Sequence, residues 1–360
     1  MADERQTRAF EPASRLHAAS VQSPDFQPET RRDGRLEIAA VQIATQIGNV
    51  SRNLEQVEAL ATEAFASGAK VVALPEFFTG ALAPSADAFR TAMPPDNAGV
   101  AMLTRLAKAH HGYIGGSMLI ADGGDLFNRY YLVGPDGERY SHDKDIPTMW
   151  ENSFYTGGGD DGVFATGIGR IGAAMCWEML RQATVHRIRG RVDFALAGMH
   201  WWGVPWNWPG KRSAKEQAQS DNARMSECAA SEFARRIGAP VVLASHCGPL
   251  RGDFYLLPGL NLRVPYETSF VGCTQIVDAQ GRVLASRSAA EGVGIVSGTI
   301  GVSAAPGQLS ESATAAAPEY WIPELTGGMK FFWAYQNYVS RSVYRRFGRQ
   351  RGLAAAGGVE

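Results

Sequence analysis

The chain has 360 residues, of which 45% are hydrophobic and 20% are charged, and its formal net charge is -1. This composition is typical of a globular protein with one large domain or two small ones, and nothing in it indicates nucleic acid or an anionic membrane as a partner. No run of about 18 apolar residues is present, so we expect no membrane-spanning helix. The N-terminal sequence MADERQTRAF lacks the apolar core of a signal peptide, which predicts a cytoplasmic protein.

The predicted elements begin after a polar arm. Residues 1–34 contain proline and show no apolar period, which indicates an arm that is mobile or docked on a partner subunit. The pattern then predicts strand 36–43, helix 50–66, strand 70–77, helix 100–111, strand 113–118 and a hairpin that pairs 128–133 with 139–142.

The second half of the chain repeats this alternation. It predicts strand 171–175, helix 180–190, strand 193–197, helix 213–237, strand 240–245 and three closing strands, 269–277, 282–286 and 294–299. Strands that alternate with helices predict an α/β domain, which here covers residues 35–300.

Residues 301–360 form a third region. Residues 301–318 are rich in Ser, Ala, Gly and Pro, which indicates a linker. In the helix that follows, five apolar residues share one face: Phe332, Tyr335, Val339, Val343 and Phe347. A helix with this face and several arginines can lie on a membrane surface, or it can pack on the domain or on a second subunit. We favour packing, because one amphipathic helix rarely indicates a membrane without a second signal.

Cys176 is the first candidate for chemistry. It lies in RIGAAMCWEML, where a predicted strand ends and a predicted helix begins, and a helix N-terminus favours a thiolate. This evidence is weak by itself, because most cysteines that follow an apolar run are packing residues. We expect Cys228, Cys247 and Cys273 to be such buried thiols, since no C-x-x-C pair indicates a zinc site or a disulfide.

Three charged residues complete a possible site around this cysteine. Glu76, in VVALPEFF, directly follows a strand and can act as general base and acid if its surroundings raise its pKa. Lys144, in SHDKDIPT, can lower the pKa of a nearby thiol and stabilise an oxyanion. Glu151 follows on the same loop. Considered singly, each is more often an exposed charged residue.

The order Glu, Lys, Glu, Cys with these flanks resembles the nitrilase superfamily of carbon–nitrogen hydrolases. The matching segments are LPEFF around Glu76, K-x-x-P-T-x-x-E from Lys144 to Glu151, and TGIGRIGAAMCWE around Cys176. The segments IAAVQIATQIGNVSRNLEQV and FVGCTQIVDAQGRVLA are also similar to the family, so the resemblance spans about residues 35–300.

The resemblance implies a four-layer α-β-β-α sandwich and a Glu-Lys-Cys triad of Glu76, Lys144 and Cys176, with Glu151 as a second, supporting glutamate. It implies attack of the thiolate on the carbon of a small nitrile or amide, with Lys144 and the backbone N–H of Trp177 holding the developing negative charge. It also implies homodimers or larger homo-oligomers, and chemistry that needs no metal or organic cofactor.

The substrate branch stays open. Cys-Trp-Glu and the Pro-Thr-x-x-Glu that ends at Glu151 resemble nitrilases, whereas Asn152 and the segment ENSFYTGGGDDGVF are closer to amidases and carbamoylases. By resemblance, AGMHWWGVPWNWP lines the pocket, which makes His200, Trp201 and Trp202 candidate substrate contacts. Some of these tryptophans can instead be core or subunit-interface residues. If they do line the site, a flat or apolar substrate is favoured over an acidic one.

Alternative functions have less support. GIGRIG matches the dinucleotide pattern G-x-G-x-x-G, but its glycines precede a predicted strand instead of following one, so we do not expect NAD binding. The chain has no G-x-S-x-G elbow of a serine hydrolase. An acyltransferase that uses the same thioester stays possible. A non-catalytic binding protein of the superfamily is disfavoured, because all four site residues are present.

Overall fold

The computed structural model describes residues 34–85, 87–257, 262–302 and 327–357. The predicted N-terminal arm, apart from Gly34, and most of the predicted linker lie outside the described residues. None of the described helices combines the length and the apolar character that crossing a membrane requires.

The first half of the domain alternates strands and helices as predicted. Its elements are β1 (Arg35–Ile43), α1 (Val50–Ala66), β2 (Val71–Ala73), α2 (Ala98–His110), β3 (Tyr113–Asp122), β4 (Asp125–Val133) and β5 (Arg139–Asp143). Asparagines begin both helices: the side chain of Asn49 accepts a hydrogen bond from the N–H of Arg52, and that of Asn97 from the N–H of Val100. Such caps satisfy backbone donors that a helix start leaves free.

The second half contains the remaining strands and the longest helix. Its elements are β6 (Val163–Thr166), β7 (Gly169–Met175), α3 (Gln182–Ile188), β8 (Phe194–Met199), α4 (Arg212–Ile237), β9 (Val241–His246), β10 (Pro249–Tyr255), β11 (Arg263–Ser269), β12 (Cys273–Val277), β13 (Val283–Ser288) and β14 (Gly294–Gly301). After the gap, α5 (Gly327–Val343) continues through a π-helical turn (Tyr344–Gly348) into α6 (Arg349–Gly357).

The strands form two half-sheets that meet at β1 and β9. One half has the order β5-β4-β3-β2-β1-β14, and the other has the order β13-β12-β9-β8-β7-β6. β1 pairs with β9 only through Gln42 and Ile43, at its carboxyl end. The strands from β3 through β2, β1, β9 and β8 to β7 run parallel, so their carboxyl ends lie along one edge.

Alternate residues of the central strands face different cores, as the two-residue period of a strand requires. Ile38 of β1 and Leu196 of β8 share the core between the two half-sheets. Val41 of β1 packs in the core under α1 and α2, whereas Ala197 of β8 packs in the core under α3 and α4. The layers therefore follow the order α-β-β-α, which is the predicted fold.

The structure differs from the sequence prediction at several elements. The second predicted strand ends at Ala73 and not at residue 77, and residues 76–79 form a turn in which Phe77 has a φ of 54°. The hairpin of β10 and β11 was not predicted, since its residues alternate too irregularly in polarity to indicate a strand. Cys228 lies exposed on α4, so the expectation that it is buried was wrong.

Candidate active site

Polar residues gather where the parallel strands end. Glu76 follows β2, Cys176 directly follows β7, His200 directly follows β8, and His246 is the last residue of β9. Because these strands run parallel, their carboxyl ends bring the four side chains to one edge of the sheet. Lys144 joins them from the end of β5.

Lys144 lies between two carboxylates. Its Nζ is 2.8 Å from Glu76 Oε1 and 2.8 Å from Glu151 Oε2, and all three side chains are buried. Cys176 borders this cluster and is only 2% exposed. The charges of Glu76, Lys144 and Glu151 all act on the pKa of its thiol. The structure thus brings together the four residues that the sequence proposed for chemistry.

Both carboxylates of the cluster accept further hydrogen bonds. Glu76 Oε1 accepts from Asn128 Nδ2 at 2.8 Å, and Oε2 accepts from the backbone N–H of His200 at 2.9 Å. Glu151 Oε2 accepts from the hydroxyl of Tyr155 at 2.5 Å. Hydrogen bonds to a charged acceptor are short and strong, so these donors fix the carboxylates in place.

The backbone at the site is strained at three non-glycine residues. Phe77, Met149 and Cys176 have φ values of 54°, 49° and 51°. This left-handed region costs about 1–3 kcal/mol for each such residue, and it persists only where the surroundings enforce it. A close approach adds to the constraint: a Cβ on Gly198 of β8 would lie 2.5 Å from the backbone nitrogen of Glu76. Only glycine at that position lets β8 reach the turn that carries Glu76.

Burial determines the protonation of the two partners in the cluster. Burial raises the pKa of Glu76, Lys144 lowers it and Glu151 raises it, and the result is about 7. Burial opposes the charge on Lys144, but Glu151 and Glu76 outweigh it and hold the lysine pKa well above its ordinary value. At neutral pH the cluster therefore combines a permanent ammonium with a carboxyl group that can take and return a proton.

Lys144 lowers the pKa of the Cys176 thiol, as expected, but other effects decide the protonation of the sulfur. Burial and the charge of Glu76 raise the pKa of the thiol well above its ordinary value, although Lys144 lowers it. The helix contribution is small, because Cys176–Leu180 is a 3₁₀ turn and α3 begins only at Gln182. The resting sulfur is therefore protonated and needs a base.

His200 is neutral and surrounded by aromatic rings. Its ring lies edge-on to Phe77, Trp150, His246 and Phe270, at centroid distances between 4.9 Å and 6.2 Å. Burial holds the pKa of His200 well below its ordinary value. Neither ring nitrogen has a hydrogen-bond partner among the described residues. The structure thus places this candidate substrate contact beside Glu76, with two buried polar atoms unpaired.

The three tryptophans proposed near the pocket lie in different surroundings. The rings of Trp177 and Trp201 pack against each other in a tilted arrangement, with centroids 5.1 Å apart, and the indole N–H of Trp201 donates to Asn222 on α4. Trp201 therefore belongs to the core under α4. Trp202 packs against Trp150 at 5.2 Å and is only partly buried.

The C-terminal helix packs over this edge of the same chain. Trp333 of α5 lies 4.1 Å from the ring of Trp177, and Asn152 bonds to both Asn337 and Arg341 of α5. Beside these contacts, a cleft of about 720 Å³ opens between the helix and the segment after Lys144, and Tyr155 contributes to its lining. The sequence analysis favoured a helix that packs on the domain or on a second subunit. In the structure the helix packs on its own domain, beside the candidate active site.

Sequence reasoning missed several residues that hold the site. Asn128 is a polar residue on the buried face of β4, and such a residue in an apolar pattern is the signal that could have identified it. His246 ends a parallel strand at the same edge as Cys176, and this position was an equally available signal. Its Nε2 donates to the carbonyl of Glu76 at 2.6 Å, and its Nδ1 accepts from the hydroxyl of Thr45. Trp333 had no such signal, because no local pattern predicts which surface a distant helix covers.

The described residues contain no group of three or more His, Cys, Asp or Glu side chains that could hold a metal ion.

A fold of two half-sheets between helical layers, with a thiol and two carboxylates around a buried lysine, defines the class of protein. Residues 37–303 match the family model described as carbon-nitrogen hydrolase. The chain belongs to this family.

The chain is similar to curated relatives with several activities. It is 32% identical over 141 residues to N-carbamoylputrescine amidase of Arabidopsis thaliana, covering 36% of this chain and 47% of that protein. It is 31% identical over 186 residues to the bifunctional nitrilase/nitrile hydratase of Lupinus angustifolius, covering 45% of this chain and 51% of that protein. These matches span about half the length of the relatives.

Solved structures share the fold. A CN-hydrolase superfamily protein from Xanthomonas campestris aligns with a TM-score of 0.53 at 21% identity, covering 75% of this chain and 91% of that one. A carbon-nitrogen hydrolase from Helicobacter pylori G27 aligns with a TM-score of 0.57 at 17% identity, covering 75% and 90%. A mutant of an amidase from Nesterenkonia sp. AN1, which shows the result of Michael addition of acrylamide at the active-site cysteine, aligns with a TM-score of 0.53 at 17% identity, covering 73% and 92%.

Proposed function

We propose that the chain is a thiol hydrolase that cleaves the carbon–nitrogen bond of a small nitrile or amide. Cys176 is the nucleophile, Glu76 the general base and acid, Lys144 the oxyanion donor, and Glu151 the support of the lysine. The observation that carries the proposal is the buried cluster in which Lys144 donates to both glutamates at 2.8 Å beside the thiol. Exclusion of water strengthens each of these electrostatic interactions.

With an amide, the first half-reaction forms a thioester. Glu76 takes the thiol proton, the sulfur of Cys176 attacks the carbonyl carbon, and the carbonyl π electrons move onto oxygen. The ammonium of Lys144 has three N–H donors. Two of them donate to Glu76 and Glu151, which leaves the third for this oxyanion. The backbone N–H of Trp177 is the second donor. Glu76 then protonates the nitrogen, the carbon–nitrogen bond breaks, and ammonia or an amine leaves.

The second half-reaction consumes water. Glu76 takes a proton from water, the resulting hydroxide attacks the thioester carbon, and the carbon–sulfur bond breaks as Glu76 returns the proton to Cys176. A carboxylic acid leaves. With a nitrile, attack gives a thioimidate, and addition of water to its carbon followed by loss of ammonia leads to the same thioester.

The substrate end that lies near the thiol is uncharged. The two ring nitrogens of His200 and the indole N–H of Trp150 are buried without a partner among the described residues. Buried polar atoms gain most from a bound group that pairs with them, and a neutral imidazole offers no charge to a carboxylate. The aromatic rings around them favour an apolar or flat substrate body. The relatives include both an amidase and a nitrilase.

Ammonia release from a panel of uncharged nitriles, carboxamides and N-carbamoyl compounds tests the proposal. We expect release by the wild type, loss in Cys176→Ala, and unchanged rates in Cys228→Ala, which removes an exposed thiol elsewhere. The substrate class that reacts identifies the branch. Added hydroxylamine can capture the thioester as a hydroxamate. If more hydroxamate than carboxylic acid forms, the result favours an acyltransferase. Release that persists in Cys176→Ala would show that the proposal is wrong.

A further inference from the structure

A second buried charged cluster lies behind the candidate active site. His142 Nε2 lies 3.1 Å from Glu178 Oε1, and both side chains are fully buried. His142 Nδ1 lies 2.5 Å from Asp160 Oδ1, at the surface side of the cluster. Arg187 of α3 reaches Glu178 Oε1 at 3.2 Å. None of these residues has a part in the proposed proton transfers.

Glu178 connects the two segments that carry the thiol and the ammonium. Its Oε2 accepts from the backbone N–H of Met175 at 2.8 Å, immediately before Cys176. Its Oε1 accepts from the backbone N–H of Asp145 at 3.0 Å, immediately after Lys144. A single carboxylate therefore fixes the backbone beside both groups.

His142 anchors that carboxylate from β5. Burial opposes the charge of the imidazolium, but Glu178 and Asp160 outweigh it and raise the pKa of His142 to about 10. The charge of the imidazolium in turn lowers the pKa of Glu178. The other charged groups nearby are Arg187 and Asp145, and Asp145 is itself paired with Arg181. At neutral pH both nitrogens of His142 donate, and Glu178 is a carboxylate.

We propose that His142 and Glu178 are a positioning pair that holds Cys176 and Lys144 in register with each other. The proposal rests on the proposed function, because it assigns the pair to the same thiol and ammonium. Cys176 occupies a strained backbone with a φ of 51°, and such a conformation persists only when neighbouring interactions fix it. Glu178 supplies this constraint from within the turn, and His142 ties the same carboxylate to β5, the strand that ends immediately before Lys144.

The pair also accounts for two sequence features that the proposed chemistry leaves unexplained. The histidine of His-Asp-Lys and the glutamate of Cys-Trp-Glu each stand two residues from a catalytic candidate, and the structure joins them to each other. Charge-assisted hydrogen bonds to a buried carboxylate are strong, so removal of either partner weakens the anchoring of the other. Glu178 then keeps Arg187 as its charged neighbour, or His142 keeps Asp160.

Addition of the Cys176 thiol to acrylamide, followed by intact mass, tests the positioning. The adduct keeps the whole mass of acrylamide, which distinguishes it from an acyl intermediate that has lost ammonia. The sulfur bonds to the terminal alkene carbon, and the thiol proton passes to the neighbouring carbon, so no other reactant is needed. Glu178→Gln and His142→Gln remove each partner. Asp193→Asn is the matched control, because Asp193 accepts from the backbone N–H of Arg170 at the opposite end of β7, at 2.7 Å. Rates are compared at equal folded fraction.

We expect Glu178→Gln to lower the acrylamide rate constant and kcat by about 10-fold to 100-fold, the size expected for a misplacement of about 1 Å. KM stays within about twofold, because substrate binding is not removed. The double variant with His142→Gln is no slower than the slower single variant. Asp193→Asn lowers the melting temperature without changing the acrylamide rate.

Unchanged acrylamide rates in folded Glu178→Gln would overturn the proposal, and so would additive effects of the two substitutions. If Glu178→Gln does not fold, Asp160→Asn acts at the half-exposed side of the cluster, and we expect a decrease of about threefold there. An unchanged rate in that variant also overturns the proposal.

A wild type that adds acrylamide at Cys176 but releases no ammonia from any compound would contradict the proposed hydrolysis and leave the positioning test intact.

Discussion

At the scale of single residues, burial sets the chemistry of the site more than the local sequence does. The sequence predicted Glu76, Lys144, Glu151 and Cys176, and the structure brings these residues together. It did not predict that the thiol is protonated at rest, because that depends on the full burial of the cluster and on two carboxylates distant in sequence. The residues that hold the cluster, such as Asn128, come from strands whose pairing no local pattern reveals.

The first prediction concerns the pH dependence of acylation. Glu76, with a pKa of about 7, must be a carboxylate to accept the thiol proton. The rate constant kcat/KM therefore falls as pH decreases below 7. Glu76→Gln lowers kcat by about 100-fold or more, since general base catalysis contributes about 10²–10⁴-fold. Glu63→Gln, on the exposed face of α1, is the control. Wild-type activity in Glu76→Gln would contradict this role.

The second prediction concerns the hydroxyl of Tyr155. Tyr155→Phe removes the 2.5 Å hydrogen bond to Glu151 without changing the shape of the side chain. A hydrogen bond to a charged group contributes about 1.5–3 kcal/mol, so we expect a loss of stability of that order and a lower kcat. Tyr130→Phe is the matched control, because the Tyr130 hydroxyl is buried without a partner in the described part of the chain. Equal effects of the two substitutions, measured by urea unfolding and ammonia release, would contradict the assignment.

At the scale of elements, the pattern of apolar residues predicted most of the helices and strands and their α/β order. It predicted the bounds of these elements less well beside the candidate site, where the backbone is strained. The strand before Glu76 ends early, and the turn after Cys176 is 3₁₀ instead of α-helical. Both deviations lie beside residues with left-handed backbone, so tertiary constraint overrides local preference there.

The third prediction concerns the contact between the C-terminal helix and the loop that carries Glu151. A Cβ on Gly348 would lie 2.1 Å from the carbonyl oxygen of Ser153, so the helix or the loop must shift in Gly348→Ala. We expect a loss of about 1–3 kcal/mol in the free energy of unfolding. A lower kcat follows, because the loop shift moves Glu151 relative to Lys144.

Gly357→Ala is the control for that substitution. It adds the same methyl group on α6, where no atom lies within 4 Å of the new Cβ. Its stability should match or exceed the wild type, since alanine favours a helix more than glycine does. Wild-type activity and stability in Gly348→Ala would show that the helix does not support the loop.

At the scale of the whole molecule, the resemblance to the nitrilase superfamily implied the four layers, and the cores of the structure have the same α-β-β-α order. The position of the C-terminal helix over the site could not be predicted, because it depends on contacts such as that of Trp333 with Trp177, distant in the chain. Assembly into homodimers or larger oligomers stays a prediction. Light scattering of the purified protein tests it by measuring the mass of the assembly. The aromatic residues Phe331 and Tyr338 lie exposed on α5.

The fourth prediction concerns stability at high pH. His142 has a pKa of about 10 in the folded chain against 6.5 as its ordinary value, so the folded state binds the proton more tightly. The protonated His142 therefore stabilises the folded state. This stabilisation is fully present below pH 6.5 and is lost as pH rises towards 10, by at most about 1.4 kcal/mol for each pH unit. Urea unfolding between pH 6.5 and 10 measures the loss. His142→Gln should be less stable at pH 6.5 and show a smaller decrease, and an equal slope in both proteins would contradict the ion pair.

The central claim is that Cys176 forms a covalent acyl intermediate. Intact-protein mass spectrometry after brief exposure to reactive nitriles and amides, stopped with acid, tests it most directly. We predict a mass increase equal to the acyl group, located at Cys176, which disappears on longer incubation and is absent from Cys176→Ala. Turnover of the same compounds by Cys176→Ala, or an adduct at another cysteine with Cys176 unmodified, would contradict the account.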